Sequence, residues 1–332
     1  MAFTAIHFAG AEMGDNLEWH SVTGSFNSSF NTPRSGASCY QANMIGAGSV
    51  RGNVSGFNQA EIYCRFGFRV VFASNPGTDA TQYILEIQST AAAAQCQIRC
   101  KVTTAGVCTL ILYDAVNSAA VGSPYTFTKD TWVVIELRVK RGGDATATTI
   151  LDMKVDSTSR ASSSTISWAG TANPGEARVG WGFLSLGAPT CTGRWDDWII
   201  GYGDTWIGDG RSIMRRGMTG TPTYDAWTKV NGATAAACWT ENPPGTYAYC
   251  QTPASGDPVA QTTLVNPVSG GTTPMGASDT CNGVRIGLTG KRGTGTAKTY
   301  KIRHRVGGVD TDYAVTMGTG TSWAVEATIW TD

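Results

Sequence analysis

The chain has 332 residues, enough for one large or two ordinary domains with a sizeable core. Charged residues make up 15%, against a usual share of about 25%, and 25 basic residues balance 25 acidic ones. A net charge of zero excludes a long-range field that would draw the chain onto nucleic acid or an anionic membrane, and no apolar run approaches the roughly 18 residues of a membrane span.

The first segment, "MAFTAIHFAGAEMGD", has no basic leader and meets Glu12, so it is read as a strand and not as a secretory signal. "NQAEIYCRFGFRVVF" (58–72), "QYILEIQS" (82–89), "VCTLILY" (107–113), "TWVVIELRVKRGG" (131–143) and "TTILDMKVDS" (148–157) follow. Each is short, rich in β-branched residues and bounded by Gly, Ser, Asn or Asp, which is the strand signal at the spacing of an all-β sandwich. No amphipathic helix longer than about two turns is predicted; "DGRSIMRRG" (209–217) is the best short candidate. A boundary falls in "GDTWIGDG" (203–210), and a second strand series runs from "YDAWTKVNG" (224–232) to "SWAVEATIW" (322–330). The expected organisation is a β-sandwich domain over 1–203 and a second, smaller β-sandwich domain over 204–332.

Low charge, 41 glycines and 11 tryptophans suit a β-rich chain that buries surface on other proteins and forms a homo-oligomer; the alternative puts most tryptophans in the core. The nine cysteines include two pairs that frame hairpins, Cys100 with Cys108 around Thr104 and Cys238 with Cys250 around Pro244. Opposed strand positions have the separation a disulfide needs, and buried free thiols are the other reading of each pair. Of the two, Cys238 with Cys250 is preferred, because the Pro-Pro-Gly turn stiffens its hairpin.

"GRWDDWIIGYGD" (193–204) raises the question of catalysis. Strict alternation puts Asp196 with Trp198 and Ile200 on one face, and Asp197 with Trp195 and Ile199 on the other. Carboxylates on opposite faces cannot flank one glycosidic bond. His7, His20 and His304 sit in no metalloprotease motif, and no G-x-S-x-G elbow occurs. "GLTGKRGTGTAKT" (287–299) has Arg292 where a phosphate loop needs a hydroxyl. The chain is therefore expected not to be an enzyme, and no cofactor or metal is expected. "KTYKIRHR" places Lys301, Arg303 and Arg305 on one strand face, suited to solvent or to an acidic protein partner rather than to nucleic acid.

The segment order "IHFAGAEMGDNLEW", "RSGASCYQA", "YILEIQS" to "LILYDA", "YTFTKDTWVVIELRVK" and "RWDDWIIGYG" resembles the concanavalin A-like, laminin-G-like jelly roll of tailed-phage virion proteins. The resemblance implies a jelly-roll first domain and a non-enzymatic structural role in the virion, as a capsid decoration or a tail or fibre protein. Its partners would be other virion proteins, with assembly in the host cytoplasm and action outside the cell. It also implies that Asp196 is structural, its carboxylate accepting backbone or tryptophan N–H bonds. Some relatives hold calcium near such positions, which makes Asp196 and Asp197 the calcium candidates, although calcium wants six to eight oxygens. The alternative function is a carbohydrate-binding adhesion module for host glycans, with Trp168 and Trp206 as the stacking rings.

Overall fold

The computed structural model describes residues 3–208 apart from 12–17, 30–31, 36–37, 44–48, 143–148, 183–190 and 204, and beyond 208 the backbone of short paired strands. No described residue is helical. The chain divides into two compact units, Met1–Arg215 with Ser269–Thr272, and Arg216–Val268 with Thr273–Asp332. In the second, the described ladders pair Met218–Thr219 with Thr263–Leu264, Tyr224–Asp225 with Val259–Ala260, Thr228–Val230 with Tyr249–Gln251, Val284–Gly290 with Ala324–Trp330, and Lys298–Val306 with Val309–Met317.

The first unit is an all-β jelly-roll sandwich. Its strands are β1 (Thr4–Ala9), β2 (Ser21–Thr23), β3 (Asn27–Ser29), β4 (Cys39–Asn43), β5 (Ser49–Ser55), β6 (Glu61–Val71), β7 (Ala80–Ser89) and β8 (Ala94–Val102). They continue as β9 (Cys108–Asp114), β10 (Ala119–Phe127), β11 (Val133–Lys140), β12 (Thr149–Val155), β13 (Thr158–Ile166), β14 (Pro174–Gly182) and β15 (Thr192–Tyr202). Sheet A runs β13-β12-β11-β6-β15-β4-β3, with β1 also on β15; sheet B runs β10-β9-β8-β7-β14-β5-β2. All pairings are antiparallel, and the late strands β14 and β15 insert between earlier ones.

Alternation makes the core. On β6, Ile62, Cys64, Phe66, Phe68 and Val70 point inward; on β8, Cys96, Ile98, Cys100 and Val102 do so from the other sheet. The centre is aromatic. Trp181 meets Trp195 edge-on at 5.2 Å, and Phe68 lies 5.8 and 5.4 Å from these two rings. Trp181 Nε1 donates to the Ala42 carbonyl at 3.0 Å, so burying the indole leaves its polar atom satisfied. Gly193 is required beside them, since a Cβ there would lie 2.3 Å from Trp195 and 2.6 Å from Trp181. Of the described tryptophans, Trp19, Trp168, Trp181, Trp195 and Trp198 are buried, so these rings build the core rather than an interface with other proteins.

β15 changes partner along its length, from β4 at Thr192–Trp195 to β1 at Trp198–Tyr202. A bulge marks the change: Asp196 to Ile199 spans three steps against two on β6, from Gly67 to Arg65. Asp197 takes the left-handed conformation, φ 51°, which aspartate tolerates better than most residues.

Candidate functional site

The bulge corrects the expected alternation. Trp195, Trp198 and Ile200 all face the core, and the two aspartates both turn to the Arg34–Ser35 segment. Asp196 Oδ2 accepts the N–H groups of Arg34 (2.7 Å) and Ser35 (3.1 Å), and its Oδ1 accepts the Asp197 N–H at 2.8 Å. Asp197 Oδ2 takes Arg34 Nη1 and its Oδ1 takes Ser35 Oγ, each at 2.5 Å. All four carboxylate oxygens thus accept protein donors. The pair is a staple between β15 and a loop; as the calcium site the resemblance allowed, it would have to give up those bonds.

Burial, then the neighbouring Asp197 carboxylate, push Asp196 well above the usual carboxylate value of 3.8, against three backbone donors that pull it down. A carboxyl raised in the fold binds its proton more tightly folded than unfolded. Its contribution to stability is therefore largest below about pH 3.8 and falls as pH rises above it. The unfolding free energy of the natural chain minus that of Asp196→Asn is expected to decrease from pH 4 upward, read by urea titration; a difference that is flat or grows with pH would contradict this assignment.

The other sequence candidates are dispersed. Trp168 is buried and its Nε1 donates to the Ala172 carbonyl at 2.7 Å, so no ring face is offered to a sugar. Trp206 packs edge-on to Tyr63 at 5.6 Å and lies under Lys154 Nζ at 4.1 Å, covering sheet A instead of standing free in a linker. Cys100 and Cys108 are free thiols. The hairpin turns one residue later than expected, so Cys108 opposes Val102 and Cys100 opposes Leu110. The two cysteines are diagonal neighbours, too far apart for a bridge. Cys238 lies outside the described residues, and Cys250 stands opposite Lys229 in its ladder. In the strand Lys298–Val306, Arg303 opposes Asp312, Arg305 opposes Asp310 and Lys301 opposes Ala314, so two of the three basic positions are opposed in register by acidic positions of their own hairpin.

The concentration of polar side chains lies on the outer face of sheet B. The register there aligns Ser21, Asn53, Arg178, Glu86, Gln97 and Tyr113, one each from β2, β5, β14, β7, β8 and β9. At the usual strand spacing this row is about 24 Å long. It is tightly bonded. Glu86, 5% exposed, accepts Gln88 Nε2 and Gln97 Nε2 at 2.7 Å each, and Arg178 Nη1 at 3.3 Å. Arg178 also donates to Glu176 at 2.8 Å. Burial alone would lower the Arg178 pKa, but the bond to Glu176 and the charges of Glu176 and Glu86 raise it. Arg99 donates to Gln97 Oε1 at 2.9 Å and lies 3.1 Å over the Tyr113 ring; burial lowers its pKa, with Tyr113 and Glu86 acting against the shift.

A second row sets Arg51 of β5 and Tyr83 of β7 across glycines 180 and 182 of β14, and the missing side chains let the Arg51 guanidinium donate to the Tyr83 hydroxyl. Not every group on this face is satisfied. Arg51 Nε, Asn53 Oδ1 and Gln88 Oε1 are buried without a protein partner. Each such group costs about 1–3 kcal/mol unless something bonds it. One is a donor and two are acceptors, so a ligand that satisfies them must both accept and donate.

These residues were not singled out from the sequence, which was read there for its apolar positions. The signal was present in the alternation: Arg51-x-Asn53, Glu86-x-Gln88, Gln95-x-Gln97-x-Arg99 and Glu176-x-Arg178 put long polar side chains on one face of four adjoining strands.

No protein-family model and no curated protein matches the chain. Solved structures do. An endo-β-1,4-glucuronan lyase from the fungus Trichoderma reesei aligns at 15% identity and TM-score 0.44, over 60% of this chain and 96% of its own. The carbohydrate esterase of Shiga toxin-encoding bacteriophage phi24B aligns at 14% and 0.42, over 61% and 100%. An alginate lyase from Aplysia kurodai aligns at 11% and 0.40, over 59% and 98%. The likeness is one of fold. It corrects the expectation that the chain is not an enzyme. The structures that the chain resembles in fold are named as polysaccharide lyases and a carbohydrate esterase.

Proposed function

We propose that the chain is a carbohydrate-interacting protein and that the outer face of sheet B holds an extended glycan laid across the strands. The row from Ser21 to Tyr113 carries this reading, because it presents hydroxyl, amide, guanidinium, carboxylate and phenol groups over the length of several linked sugars. The buried donor and acceptors left over at Arg51, Asn53 and Gln88 suit sugar hydroxyls, which accept and donate at one atom. Three arginines, Arg51, Arg99 and Arg178, face two glutamates, Glu86 and Glu176, and the surplus positive charge favours a glycan that carries carboxylates. The resemblance seen in the sequence supplies the setting: a tailed-phage virion whose components contact glycans on the bacterial surface.

A glycan array probed with the full chain tests the proposal. Selective binding is expected, and Arg51→Ala or Gln97→Ala should weaken it about 10- to 100-fold, the loss of one or two hydrogen bonds to a charged or buried group. Binding that survives both substitutions together, or an array with no selective signal, would remove the site from sheet B.

A further inference from the structure

The outer face of sheet A carries a different arrangement. Arg69 of β6 and Arg194 of β15 are directly opposed in register. Like charges at opposed positions repel one another. Neither guanidinium has a carboxylate within ion-pair distance among the described residues, whereas Arg138 on the same sheet has Glu61 and Asp152, and Arg34 has Asp197. Both instead donate Nη1 to a single hydroxyl, Thr32 Oγ1, at 3.0 Å from Arg69. The Nε of each is buried without a partner. Gln41, which opposes Arg194 on β4, has a buried Oε1 that is unpartnered too.

We propose that Arg69, Arg194 and Thr32 form an oxyanion site that takes a phosphate group. Two guanidinium forks meeting at one hydroxyl match the geometry by which arginine binds phosphate in pairs of parallel bonds. An anion there removes the repulsion and gives both Nε–H groups an acceptor. Gln41 Oε1 adds selectivity. It needs a donor, which the O–H of a hydrogen phosphate or of a singly protonated monoester supplies and fully ionised sulfate does not. The site lies on the opposite sheet from the glycan row and stands independently of that reading.

The test is thermal melting of the full chain in sodium phosphate, in sodium sulfate and in sodium chloride at matched ionic strength. Phosphate at roughly 20 times its Kd is expected to raise the melting temperature by about 4–7 °C over chloride. Sulfate should give a smaller rise. Arg69→Gln and Arg194→Gln should each abolish the phosphate response while melting no lower than the natural chain in chloride, because each removes a repulsion. Arg69→Lys, which keeps the charge and loses the fork, should retain only part of the response. A phosphate shift no larger than that in chloride, or one that persists in both glutamine variants, would overturn the proposal.

Discussion

Asp197→Ala is expected to destabilise the first unit by about 3 kcal/mol, the low end of the cost of breaking a buried ion pair, because Asp197 is fully buried but Arg34 keeps 21% of its side chain exposed. The substitution deletes the acceptor of Arg34 Nη1 and of Ser35 Oγ, loosening the hold of β15 on the Arg34–Ser35 segment. It also leaves Arg65, fully buried beneath, with less counter-charge. Burial already lowers the Arg65 pKa to about 10, and the Asp197 charge is the first force acting against that shift. A third effect is conformational, because alanine is poorer than aspartate at φ 51°. Asp197→Asn separates these causes: it keeps the shape and the left-handed tolerance and loses only the charge. Its destabilisation should fall between those of the natural chain and the alanine variant. Urea unfolding reads all three, and an alanine variant within 1 kcal/mol of the natural chain would mean that the Asp197 carboxylate is not needed to hold the loop.

The staple explains why one half of "WDDW" was legible and the other was not. Composition and short β-branched runs were enough for an all-β sandwich. The direction of each side chain was not, because alternation assumes an unbroken ladder. Trp195 and Trp198 are three residues apart and cannot both face the core of a regular strand. Their both being large and apolar was itself the sign of an inserted residue, and the aspartate between them was the residue able to adopt φ 51°. The surroundings of Trp168 and Trp206 were not legible for another reason. How far Trp206 is covered depends on Tyr63 and Lys154, remote in sequence and encoded by no local pattern, whereas Trp168 bonds a carbonyl only four residues on.

The two sheets also differ in how their outer faces are closed. Sheet A is covered in part by its own chain: Trp206 packs on Tyr63, and Trp132 Nε1 is bonded to the Thr32 carbonyl at 3.2 Å. Sheet B presents a bonded layer of Glu86, Gln97, Arg99 and Arg178 whose members fix one another's rotamers. A rigid polar layer costs little further ordering when a ligand lies on it, which is what a binding face requires. That layer was readable only after the register was known, since the six residues of the row are scattered from position 21 to position 178.

Gly182→Ala should therefore weaken glycan binding by displacing groups that contact the sugar, although the glycine itself offers no side chain to it. Gly182 opposes Tyr83, and a Cβ there would fall 1.6 Å from Tyr83 Cζ and 2.0 Å from Cε1. The phenol ring occupies the space above the glycine, so alanine must displace it. Displacement breaks the bond from Arg51 to the Tyr83 hydroxyl and unseats both groups at once. Binding is expected to fall at least about 10-fold, with an overpacking cost of about 1–3 kcal/mol in stability. Tyr83→Ala should weaken binding to a similar degree. In the Tyr83→Ala background the extra methyl has room, so Gly182→Ala should then cost almost nothing in stability, a coupling of about 1–3 kcal/mol between the two positions. If the glycine substitution destabilises both backgrounds equally, the ring is not the obstacle. If it leaves glycan affinity unchanged, Tyr83 lies outside the binding face.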